Sequence, residues 1–136
     1  MTERKLIAEI PIKINAYDID AMGIVSNIVY IRWFEDLRMA FLNEYYPLDQ
    51  MLRGNISPIL MKTEATYKAP LTIFDKPTGR CWLLQSGETR WEMELEIASD
   101  ETIHCVGSQK GCFYDLEKKK VAKMPLPLRQ LFSIKQ

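Results

Sequence analysis

The sequence predicts an α+β domain in which a curled antiparallel five-stranded sheet wraps around one long central helix. Three observations carry this expectation: an alternating stretch near the start, a broad helical apolar stripe directly after it, and four strand-like segments in the rest of the chain. A small antiparallel sheet can cover so wide a helix only by curving around it.

From Leu6 to Ala16 the residues Leu6, Ala8, Ile10, Ile12, Ile14 and Ala16 fall on one face, with Glu9, Lys13 and Asn15 on the other. Such alternation marks a half-buried strand. Pro11 has no N–H for a ladder bond, which puts the strand at a sheet edge or on a bulge. After the loop Asp18 to Ser26, a helix is expected from about Asn27 to Tyr46. Ile31, Phe34, Arg38, Phe41 and Tyr45 follow helical spacing there, and Tyr30, Leu37 and Leu42 widen the stripe. Pro47 ends it, and Leu48 to Arg53 can add a turn of helix before Gly54 and Asn55.

The later strands are expected at Ser57 to Ala69, Gly79 to Ser86, Thr89 to Ala98 and Thr102 to Asp115, divided by turn residues such as Asp75-Lys76-Pro77 and Ser99-Asp100-Glu101. The third of these is the clearest, with Trp91, Met93, Leu95 and Ile97 alternating with Arg90, Glu92, Glu94 and Glu96. Short connections favour an antiparallel meander. Lys118 to Lys120 read as a solvated hairpin turn. In MPLPLRQLF two prolines oppose a further strand, and a few apolar residues can dock on the body.

The 136 residues fit one domain, 1–136. Eighteen basic residues balance eighteen acidic ones, so no overall field recruits nucleic acid or an anionic membrane. No stretch supplies the ~20 apolar residues of a membrane span. The start, MTERKLIAEIPIKI, is interrupted by Glu9, Pro11 and Lys13 and lacks a small-residue cleavage site. Cys81, Cys105 and Cys112 are an odd set without a C-x-x-C pair. That pattern fits reduced thiols in a cytoplasmic protein better than a disulfide framework or a zinc site.

The chemistry-bearing stretch is YDIDAMGIVSNIVYIRWFEDLR, Tyr17 to Arg38, where two carboxylates and a glycine lead straight into the helix. A helix start offers unpaired N–H groups and partial positive charge, so a substrate oxygen held there would face a carboxylate able to attack or to activate water. Asp18 reads as a turn or capping residue. A calcium loop is excluded because Met22 and Val29 stand where oxygen ligands belong. The sole histidine, His104, lies in a strand pattern and reads as a packed or surface residue. Neither a G-x-S-x-G elbow nor a phosphate-binding glycine loop occurs. Trp82, Trp91 and the helix aromatics read as core, with no basic stripe beside them for nucleic acid.

The loop DIDAMGIV, the helix VYIRWFEDLR and the segment YKAPLTIFDKP together resemble a hot-dog fold acyl-CoA thioesterase of the hydroxybenzoyl-CoA thioesterase family, over nearly the whole chain. The resemblance implies that Asp20, the second aspartate of the D-x-D-x-x-G loop, is the catalytic carboxylate, and that a backbone N–H near Asn27 polarises the thioester carbonyl. It implies a homodimer or homotetramer with the active site between subunits, an acyl-CoA substrate, and no metal or other cofactor. Many relatives carry His after the loop glycine, or His or Tyr near the helix start; here Ile24 holds the first place and Ser26, Asn27 and Ile28 the others. A thiolate leaves readily, with a free thiol pKa near ~8.5, so hydrolysis can proceed without a strong general acid.

Gly23, Ile24, Ser26 and Tyr30 are expected to border the substrate, and Lys62 and Arg90 to meet the coenzyme A phosphates, against the plainer reading of a solvated sheet face. Asp20 can serve as base or as nucleophile. Two readings rival acyl-CoA hydrolysis most closely: a non-catalytic acyl-thioester binding protein, and a thioesterase acting on acyl carrier protein. A dehydratase of the same fold ranks behind them, since its chemistry relies on a His and His104 lies in the wrong region.

Overall fold

The computed structural model describes residues 3–133. In chain order it contains β1 (Arg4–Pro11), a 3-10 turn (Ala16–Asp18), α1 (Asn27–Tyr45), α2 (Leu48–Gly54), β2 (Ile56–Tyr67), β3 (Thr78–Leu84), β4 (Arg90–Ser99), β5 (Thr102–Asp115), β6 (Lys120–Ala122) and α3 (Leu126–Ser133). The sheet is antiparallel throughout, in the order β1-β3-β4-β5-β2, with the short β6 added on β5. It curls around α1, as the sequence predicts.

The wide stripe of α1 explains the curl. Val29, Tyr30, Trp33, Phe34, Leu37, Phe41 and Leu42 are all buried, and they meet Cys81, Leu83, Met93, Leu95, Ile97, Cys105 and Phe113 from the strands in one core. On β4 the alternation holds: Trp91, Met93, Leu95 and Ile97 are buried. The intervening glutamates form cross-strand ion pairs, Arg4 with Glu94 at 2.9 Å, Arg80 with Glu96 at 3.1 Å and Lys110 with Glu92 at 3.8 Å. On this partly solvated face each pair contributes at most about 1 kcal/mol.

The structure corrects two expectations and extends two others. First, β1 buries Ile7 rather than Leu6. The register slips between Leu6 and Ala8, so Ile7 forms a bulge that turns it inward, while Ile12 and Ile14 are buried beyond the strand's end. Second, the four later strands are not a simple meander. β3, β4 and β5 run as consecutive hairpins, but β2 pairs with β5 and so lies at the far edge from β1. The hairpin turn expected at Lys118 to Lys120 is present, with Lys119 at φ 54°, and its second arm is the short β6. The proline-bearing tail forms no strand and docks on the body, as expected, and it does so as α3. The N–H groups of Leu128 and Arg129 both reach the Pro125 carbonyl, and Leu128 and Leu131 are buried.

The core is closed. Apolar space under α1 lined by Phe41, Leu42, Leu83, Trp91 and Phe113 amounts to about 10 Å³, no more than one water would fill. Beside it Arg38, on α1, donates to the fully buried Gln109 at 2.8 Å and pairs with Glu35, while Gln109 donates to Thr63 at 3.3 Å. This chain of partners satisfies polar groups that burial would otherwise penalise. Cys81, Cys105 and Cys112 are free thiols; burial pushes Cys81 up to about 12 and Cys105 up to about 11.

Candidate active site

The loop between β1 and α1 is built by its two aspartates. Asp18 is buried, its Oδ2 accepting from the Asn15 N–H at 2.9 Å and its carbonyl from the Ser26 N–H at 2.9 Å. These bonds tie the loop's entry to the residue before the helix. Asp20 is exposed. Its Oδ1 accepts from the N–H of Met22 at 2.8 Å and more distantly from that of Ile24 at 3.5 Å, the geometry of an aspartate closing its own turn. The Asp20 N–H donates to the Ile24 carbonyl at 2.8 Å, Ile19 bridges Val25, and the Val25 N–H reaches Leu71 at 2.9 Å. Gly23 completes the turn at φ 82°, a conformation that side chains disfavour. The Asp20 carboxylate is thus fixed in the turn that precedes the helix start.

That start is open. Ser26 occupies the capping position, yet its side chain makes no cap hydrogen bond. The Val29 N–H folds back to the Ser26 carbonyl at 3.0 Å, and among the described residues no acceptor meets the N–H groups of Asn27 or Ile28. Two unpaired donors at the positive end of a 19-residue helix suit an anionic or strongly polarised oxygen. Tyr67, at the end of β2, donates from its hydroxyl to the Asn27 carbonyl at 3.1 Å. Tyr30 stands behind it, edge-on to Tyr67 at 5.4 Å and to Trp33 at 5.3 Å between ring centres. Burial, with Cys105, Tyr67 and Asp75 adding to it, pushes the Tyr30 phenol up to about 12, so it stays protonated at neutral pH.

Of the residues singled out in the sequence, Asp20, Gly23, Ile24, Ser26, Asn27 and Tyr30 are therefore gathered in one loop and the first turn of α1. Lys62 and Arg90 are gathered elsewhere. They line a groove of about 440 Å³ with Lys110, Glu92 and Cys112. Thr63 points inward to Gln109, so Lys62 beside it points to the opposite face, and it is paired with Glu64 at 2.7 Å. This groove is across the sheet from α1. His104 is buried, its Nε2 2.5 Å from the Ser99 hydroxyl and its Nδ1 3.2 Å from the Ala69 carbonyl, which makes it a tie between β5 and the segment after β2. The contact made by Tyr67 was missed by sequence reasoning, although its residue opens the segment YKAPLTIFDKP. Among the described residues no group of three or more His, Cys, Asp or Glu could hold a metal ion.

The sequence profile described as the Thioesterase-like superfamily matches residues 14–132. No curated protein matches the chain in sequence. Among solved structures, a Staphylococcus aureus protein in complex with CoA superposes with a TM-score of 0.88 at 13% identity, covering 96% of this chain and 84% of that one. A 1,4-dihydroxy-2-naphthoyl-CoA thioesterase from Synechocystis gives 0.82 at 16% identity, over 93% and 95% of the two chains. A gentisyl-coenzyme A thioesterase gives 0.77 at 21% identity, over 89% and 98%. At these identities the likeness is one of fold.

Proposed function

The chain belongs to the thioesterase-like superfamily, and from that premise we propose that it is an acyl-CoA thioesterase of the hydroxybenzoyl-CoA thioesterase type, folded as one domain and acting in the cytoplasm. The observation that carries the reading is that a fixed carboxylate, Asp20, precedes by seven positions an uncapped helix start at Asn27. Among the described residues no helix is long and apolar enough to cross a membrane.

In this reading the thioester carbonyl oxygen points at the N–H groups of Asn27 and Ile28. Water deprotonated by Asp20, or the Asp20 carboxylate itself, attacks the carbonyl carbon. The C=O electron pair moves onto oxygen, where preorganised donors lower the barrier by roughly 3 kcal/mol each. Collapse of that adduct breaks the C–S bond and releases coenzyme A thiolate. In the first route the acid forms at once; in the second, water then opens the anhydride and restores Asp20.

In this reading the acyl group lies on the surface beside the helix start, away from the apolar space of about 10 Å³ that Phe41, Leu42 and Phe113 line further along α1. Ile28 is 70% exposed beside the open N–H groups, and the long edge strand β2 bears Ile59, Leu60 and Met61 at its surface. A 12-residue edge strand invites pairing with a second copy. We therefore propose a homodimer, or a tetramer of two dimers, that covers this edge and encloses the site. Sedimentation should give at least twice the 15.9 kDa chain mass, and a monomer at working concentration would overturn it.

CoA thioesters are the first substrates to test, supported by the CoA-bound and aromatic acyl-CoA thioesterase neighbours. Lys62 and Arg90 are assigned to its phosphates only as contacts across the assembled oligomer. Thiol release is assayed over short, medium, long-chain and aromatic acyl-CoAs and over acyl carrier protein thioesters. One feature favours a second reading, an acyl-thioester binding protein: Asp20 already accepts two loop amides, and no His stands at the helix start. Saturable binding without turnover of any thioester would decide for that alternative.

A further inference from the structure

Tyr67 lies on an edge strand, yet its hydroxyl reaches 3.1 Å to the Asn27 carbonyl in the first turn of α1. That carbonyl belongs to the same peptide unit as the Ile28 N–H, one of the two donors that no described residue accepts. A hydrogen bond accepted by a peptide oxygen polarises the unit and makes its N–H a stronger donor. It also fixes the plane of the peptide, and with it the direction of the N–H. The contact is held in place by Tyr30, whose ring packs edge-on against Tyr67 at 5.4 Å.

Tyr30 itself is buried, its ring set against both Tyr67 and Trp33. At the far end of α1 the Tyr46 hydroxyl makes a bond of the same kind, donating to the Ile56 carbonyl at 2.7 Å.

We propose that Tyr67 is a positioning residue of the thioester site, its hydroxyl orienting and polarising the Asn27–Ile28 peptide so that the Ile28 N–H meets the developing oxyanion. The proposal rests on the hydrolase reading and adds to it a residue and a specific donor. It predicts an effect on the chemical step alone, because a stronger donor matters most when the oxygen carries full negative charge.

The test compares Tyr67→Phe with Tyr46→Phe. Phenylalanine keeps the ring contact with Tyr30 and removes only the hydroxyl. In Tyr67→Phe, kcat on the best acyl-CoA should fall about fivefold with KM unchanged, in the range expected for one neutral hydrogen bond. The Ile28 amide proton should move upfield in the NMR spectrum. Tyr46→Phe should lower thermal stability and leave kcat and the Ile28 resonance where they are. Unchanged kcat and an unmoved Ile28 resonance in Tyr67→Phe would overturn the proposal, as would equal loss in both variants. If the wild type releases no thiol from any thioester, the hydrolase reading fails, and the proposal for a catalytic effect fails with it; a wild type that turns over while Tyr67→Phe matches it defeats this inference alone.

Discussion

Asp20→Asn is expected to lower kcat on the preferred acyl-CoA by roughly 10²–10⁴-fold, the range for removing a general base or nucleophile, with little change in melting temperature. The expectation of an intact fold comes from the loop itself. Asparagine keeps the Oδ1 acceptor that receives the Met22 and Ile24 N–H groups, so the turn still closes, and only the charge and basicity are lost. The variant therefore separates chemistry from architecture more cleanly than alanine, which would also leave two loop amides without their acceptor. Binding of a non-hydrolysable acyl-CoA thioether should persist. A variant as active as wild type would remove Asp20 from the chemistry, and one that unfolds would assign it to the loop.

How much of this was legible in the sequence depends on what kind of information each element needs. β4 and α1 were readable because their burial follows one unbroken period, from Trp91 to Ile97 and from Val29 to Leu42. β1 was misread by a single residue of bulge, since one extra residue between Leu6 and Ala8 swaps the faces that alternation assigns. Local pattern also could not reveal that β2 pairs with β5, because its partner is chosen by long-range geometry: the linker 68–77 carries the chain across the sheet to β3, between β1 and β4. α3 was hidden by its prolines. Pro125 precedes the helix and Pro127 falls in its first turn, where no N–H is required, so residues that break a helix interior here stand at its beginning.

The site divides in the same way. Asp20, Gly23, Ser26 and Asn27 are contiguous, so a motif can mark them and the chain's own turn brings them together. Tyr67 joins them from another strand, and nothing local marks that meeting. The grouping of Lys62 with Arg90 likewise needed the pairing of β2, β4 and β5, and that pairing put both on the face away from α1. What they would contact in the proposed oligomer lies beyond any one chain's pattern.

The largest stability effects are expected at two glycines of β5, Gly107 lying against the helix and Gly111 against the neighbouring strands. A Cβ on Gly107 would lie 2.4 and 2.6 Å from the Phe34 ring and 2.9 Å from the Glu64 carbonyl oxygen; on Gly111 it would lie 1.9 Å from the Ile59 carbonyl oxygen and 2.5 Å from the Trp91 ring. Neither neighbour can yield easily: Phe34 is fully buried on α1, and the carbonyls belong to β2, hydrogen-bonded in register. Gly111→Ala should therefore destabilise the protein by more than about 3 kcal/mol, at the upper end for overpacking, and Gly107→Ala by about 2–3 kcal/mol. Urea unfolding measures both. Combining Gly107→Ala with Phe34→Leu should recover part of the first loss, because the smaller side chain vacates the space the new methyl enters, and the coupling between the two changes reports their contact. No such recovery is expected for Gly111→Ala with Phe34→Leu, whose clash is with the strand beside it. Equal coupling in both pairs would mean that the helix does not rest on Gly107, and that the close wrap has another cause.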